Sequence, residues 1–163
     1  MASLALLGVA GGAHAGGKKK LETRLKGYSE VPAVSTAATG RFKATIDEAS
    51  GSIAYELSYD GLEGTVTQSH IHFGQHGVNG GVMVWLCQTG TNPTPTPAPT
   101  CPQSGTVSGL LQAANVVGPA AQGIAALEFA EVLAALRAGI AYVNVHSSKF
   151  PGGEIRGQLR DDD

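Results

Sequence analysis

His70, His72 and His76 place three of the chain's five histidines within the eight-residue stretch Ser69-His70-Ile71-His72-Phe73-Gly74-Gln75-His76. Side chains alternate along a β-strand, so His70 and His72 leave the same face and Ile71 the other. Two imidazoles on one face of a rigid strand make half of a metal site. The other half is expected from Tyr142-Val143-Asn144-Val145-His146. There Ala141, Val143 and Val145 form a uniformly apolar face, which leaves Tyr142, Asn144 and His146 on the side away from the core. Imidazole suits copper, zinc, iron and nickel. Three nitrogens with an open position suit copper(II), with a catalytic-type zinc as the alternative. The competing view makes these histidines half-exposed polar residues bonded to neighbouring loops. His76, in the following loop, is a candidate fourth ligand or cap, and otherwise a solvent-exposed residue. Gln68 and Asn144 share faces with the histidines and are placed to orient their rings. No Ser/His/Asp triad, phosphate-cradling glycine loop or paired-carboxylate motif stands out.

The elements that must position these residues read as short strands. Leu21 to Gly27, Gly40 to Asp47 and Ser52 to Tyr59 alternate apolar with polar residues, the last two as a hairpin around Glu48-Ala49-Ser50-Gly51. Thr65 to Phe73 carries the histidines, and neither of its faces is purely apolar. Gly81 to Cys87 is the most continuously apolar run and is expected to be a central strand. Gly105 to Leu111, Ile140 to Ser147 and Gly153 to Arg160 complete the set. Phe129, Val132, Leu133 and Leu136 recur at helical spacing before Gly139, which predicts one short helix over 129–138 with a glycine cap, packed on the sheet. Short strands, glycine-rich turns and one helix predict an all-β domain, a Greek-key β-sandwich or barrel.

With 163 residues, one domain is expected, large enough for a substantial core. The net charge of −2 gives no electrostatic argument for nucleic acid. Beyond the N-terminus no apolar run is long enough to span a bilayer. Leu4 to Ala10 is a short apolar run and Ala13-His14-Ala15 fits a small-residue cleavage site, so residues 1–15 read as a signal peptide, though no Lys or Arg precedes the run. The mature chain, 16–163, is then secreted, periplasmic or on the cell surface. Cys87 and Cys101 bound a loop too rich in Pro and Thr for helix or central strand. In an exported chain the pair reads as a disulfide, worth about 3 kcal/mol for a loop of about 15 residues. The rival is a thiolate serving copper.

Glu30-Val31-Pro32, Ser69-His70-Ile71-His72 with Gly77-Val78-Asn79-Gly80 after it, and Tyr142 to His146 followed by Pro151-Gly152-Gly153-Glu154-Ile155-Arg156-Gly157-Gln158-Leu159 together resemble the CHRD domain, the chordin-type domain common in secreted bacterial proteins. The resemblance covers about residues 20–160, with the 87–101 loop as an insertion. A more distant similarity is to Cu,Zn superoxide dismutase, a Greek-key β-barrel. It implies that His70, His72 and His146 match copper ligands and that Arg156 matches the anion-guiding arginine. There is no clear bridging histidine and no zinc set, so it implies a copper-only site. Read from its residues alone, Arg156 forms an ion pair with Glu154 or Asp60 at least as readily. Three functions follow: an exported copper-binding domain, a copper-only dismutase-like enzyme acting on a small anion, and a non-catalytic module that engages an extracellular protein.

Overall fold

The computed structural model describes residues 18–90 and 96–161. The expected signal peptide and the centre of the Pro/Thr loop lie outside the described residues. Eight strands form one antiparallel sheet: β1 (Lys19–Lys26), β2 (Thr39–Asp47), β3 (Ser52–Asp60), β4 (Val66–Phe73), β5 (Gly81–Gln88), β6 (Gly105–Leu111), β7 (Ala141–Ser147) and β8 (Ile155–Asp161). Their order is β5-β4-β7-β8-β1-β2-β3-β6. β5 and β6, at the two ends, lie against each other without a ladder, so the sheet is a nearly closed barrel. β7 returns beside β4 after the β4–β5–β6 run, which is Greek-key topology. Among the described residues no helix is long and apolar enough to cross a membrane.

The interior is filled by one apolar cluster drawn from every strand, including Leu25, Phe42, Ile53, Leu57, Ile71, Met83, Val107, Val143, Val145 and Leu159. The helix α1 (Phe129–Arg137) adds Phe129, Val132, Ala135 and Leu136 to it. Gly139, at φ +66°, stands just past its end, where a left-handed conformation favours glycine.

β5 departs from the sequence reading. It is not central: among the described residues its only ladder is with β4. Its apolar run is buried from other directions. Val84 bridges to Val116 on the chain that follows β6. The Tyr55 hydroxyl crosses from β3 to the Leu86 carbonyl. The Tyr55 ring passes over Gly109 of β6, where a Cβ would stand 2.8 Å from the ring and its hydroxyl. A tyrosine side chain thus closes the seam that the ladder leaves open. Beside it, the Cys87–Cys101 disulfide is formed, which removes both thiolates from consideration as copper ligands.

The mixed faces of β4 also have a physical cause. Its pairing with β7 shifts between Val66 and Gln68. That irregularity turns Val66 into the core, while beyond it Ile71 faces inward opposite Val143. His70 and His72 therefore leave the outer surface of the barrel wall, although strict alternation groups them with Val66.

Candidate metal centre

β4 and β7 are hydrogen-bonded neighbours, so the two halves expected from sequence meet on one face. His70 lies opposite Asn144, His72 opposite Tyr142 and Gln68 opposite His146. His70, His72 and His146 form a cluster in which one ring nitrogen from each lies within 4.8 Å of the others. The face away from the apolar core is not solvent-exposed here. His70, His72 and His146 are only 2%, 8% and 6% exposed, and Tyr142 and Asn144 are buried with them. The half-exposed histidines of the competing view are not what the fold contains.

Carbonyl groups of two loops fix two of the rings. His72 Nδ1 lies 2.8 Å from the Gly80 carbonyl, and His146 Nδ1 lies 2.9 Å from the Pro151 carbonyl. A carbonyl only accepts, so each Nδ1 carries the proton and each Nε2 keeps its lone pair. Among the described residues His146 Nε2 has no hydrogen-bond partner, and neither has His70 Nε2. His70 Nδ1 stands 3.3 Å from His72 Nε2. Two nitrogens held tetrahedrally by one ion at ~2.0–2.1 Å stand roughly 3.3 Å apart. With the His72 lone pair on Nε2, His70 Nδ1 is the donor of that contact, and the buried Nε2 lone pairs of His70 and His146 are what a cation would satisfy.

Burial is the main influence on the charge of the cluster. It holds the His70 imidazole far below its ordinary range, with His146 and His72 adding repulsion. It lowers His72 to about 4, opposed by the bond to Gly80, and it lowers His146, opposed by the bond to Pro151. The rings are neutral at pH 7, the form that binds metal.

The surroundings are aromatic and cationic. The Trp85 ring meets His70 edge-on at 4.2 Å. Tyr142 stacks on His72 with centroids 4.6 Å apart and planes 4° apart. On the other side of that tyrosine sits the Arg156 guanidinium, 3.3 Å above the ring. Arg156 is 1% exposed and bonds the Asn79 side chain and the Gln75 and Val78 carbonyls. It pairs with neither Glu154 nor Asp60. Glu154 instead accepts bonds from the Thr36 hydroxyl, the Glu63 amide and the Ser147 hydroxyl, and Asp60 is exposed. His76 is exposed and stands outside the cluster. Gln68 is half-buried at the edge.

One residue of this region was invisible to chemical reasoning on the sequence. Glu30 is 5% exposed, and burial pushes its carboxyl up to about 7, against the Val31 amide and the charge of Arg156. Its Oε1 has no hydrogen-bond partner among the described residues. Gly153, at φ +125°, leaves room for it: a Cβ there would lie 2.3 Å from Glu30 Oε1 and 2.9 Å from Asn144 Nδ2. The signal available was the Glu30-Val31-Pro32 motif, whose partner turn lies far along the chain.

The CHRD domain model matches residues 21–159, from the first strand to the last. No curated protein and no solved structure matches the chain.

Proposed function

The chain belongs to the CHRD domain family, and from that premise we propose that it is an exported metal-binding CHRD domain that holds copper through His70, His72 and His146. The observation that carries this reading is the convergence of three buried imidazoles from β4 and β7, two of which, His70 and His146, have an Nε2 with no hydrogen-bond partner among the described residues. The disulfide supports an oxidising compartment outside the cytosol. Zinc is the alternative ion, since neutral imidazoles serve both. Copper in the site would supply one-electron redox chemistry; the protein's own part is to keep three imidazoles neutral, oriented and dry.

Two features favour holding the metal over turning over a small anion. The ligands are buried, and the Arg156 donors are engaged by the loop beside them. A guiding arginine needs donors aimed at an open position.

Titration of the purified domain with Cu(II), followed by electron paramagnetic resonance, tests the reading. The expected result is one tight site per chain with nitrogen hyperfine structure. His70→Ala/His72→Ala is expected to abolish it, and His146→Ala to weaken it strongly. No binding, or binding unchanged in these variants, sinks the proposal. Acceleration of superoxide decay by the loaded protein would move the assignment to the enzyme.

A further inference from the structure

Arg156 has work to do that needs no substrate. Its Nη2 donates to the Val78 carbonyl at 2.8 Å and the Gln75 carbonyl at 3.3 Å, and its Nη1 to Asn79 Oδ1 at 3.2 Å. Asn79 in turn donates to the Val31 carbonyl at 2.9 Å. These groups lie in the stretch that ends at Gly80. Gly80 donates its amide to the Tyr142 hydroxyl at 3.2 Å and offers its carbonyl to His72 Nδ1. No other residue fits there, since a Cβ on Gly80 would fall 1.7 Å from the Phe73 carbonyl oxygen. The same guanidinium lies flat on Tyr142, and Tyr142 lies flat on His72. One buried side chain therefore controls both constraints on His72, the stacked ring and the acceptor carbonyl.

We infer that Arg156 is a positioning residue for His72: by clamping the Gln75–Asn79 loop it keeps the Gly80 carbonyl on Nδ1, and so keeps the Nε2 lone pair aimed into the three-histidine cluster. This rests on the metal reading for its purpose, though not for its geometry. A planar fork with several donors that also stacks on a ring is a task for Arg, not for Lys. Without the clamp, the His72 proton is free to move to Nε2, and the contact with His70 Nδ1 at 3.3 Å then reverses its direction as the His70 proton moves to its own Nε2.

The test uses the metal-free protein at pH 8 and long-range proton–nitrogen correlation spectra of the imidazoles, which report the tautomer of each ring. The wild type is expected to show His72 and His146 both protonated at Nδ1. Arg156→Lys, which keeps the charge, is expected to give a mixture of tautomers at His72 while His146, held by a different loop, is unchanged. Asn79→Ala, at an exposed position and without risk to the core, is expected to shift His72 the same way to a smaller extent. Cu(II) affinity is expected to fall roughly 10- to 100-fold in Arg156→Lys, the usual effect of losing a group that orients a ligand. A His72 tautomer unchanged in both variants overturns the inference. So does equal mixing at His72 and His146, which would mean general loosening. Failure of the wild type to bind Cu(II) would remove the metal reading and leave the tautomer result to stand or fall alone.

Discussion

Protonation of buried side chains sets how the metal-free protein responds to acid. His70, His72 and His146 have folded values below those of the unfolded chain, so as pH falls below 6.5 the unfolded state binds more protons, for His72 down to about 4. Their contribution is fully present above 6.5 and is lost as pH falls, at about 1.4 kcal/mol per pH unit for each proton. Glu30 has the opposite sign. Its folded value of about 7 exceeds the unfolded 4.5, so its contribution is present at low pH and lost as pH rises between them. Three groups oppose one, so stability measured by denaturant midpoints is expected to fall from pH 6.5 to 4.5. Glu30→Gln removes the opposing group and is expected to steepen that fall. At this scale the sequence was readable where chemistry and spacing coincide. His70 and His72 share a face by alternation, and His146 stands opposite a purely apolar row. Glu30 was hidden because its burial is created by Gly153 and Asn144, which only the completed fold brings near.

Strand positions were legible because alternation and turn glycines both follow from local geometry, and the helix because its apolar spacing ends at a glycine. What local pattern does not carry is what lies on the far side of a strand. β5 reads as central because all its residues avoid water, yet it has one ladder partner. The rest of its burial comes from the Tyr55 hydroxyl on Leu86, the bridge from Val116 and the disulfide after Leu86. The faces of β4 were ambiguous for a related reason, an irregularity between Val66 and Gln68 that resets the alternation. The disulfide spans a sequence separation of 14 next to the open seam. Its reduction is expected to lower the unfolding free energy by about 3 kcal/mol. Denaturant curves with and without reductant check this, and an unchanged midpoint would show that β5 is held without it.

Over the whole molecule, the barrel and the histidine cluster answer to different forces. The interior is held by apolar burial, while the cluster is made of unsatisfied polar atoms that a bound ion would stabilise. Binding to the folded chain alone adds about 2.7 kcal/mol when free metal is one hundred times the dissociation constant. Calorimetry is expected to show the melting temperature rising with Cu(II), returning with chelator, rising much less in His146→Ala, and not moving in His70→Ala/His72→Ala. The Greek-key class was legible because strand number, turn spacing and the single helix leave few arrangements. The meeting of β4 and β7 was inferred only by matching two histidine-bearing strands, because contact between distant segments is decided by the path of the whole chain. All three histidines stand on the outward side of the wall, with Ile71, Val143 and Val145 filling the inside. Inheritance of the scaffold is therefore separable from inheritance of the three histidines. Exchange of these three side chains would leave the apolar interior of the barrel in place, so the fold of the domain and any metal binding by it are separable traits.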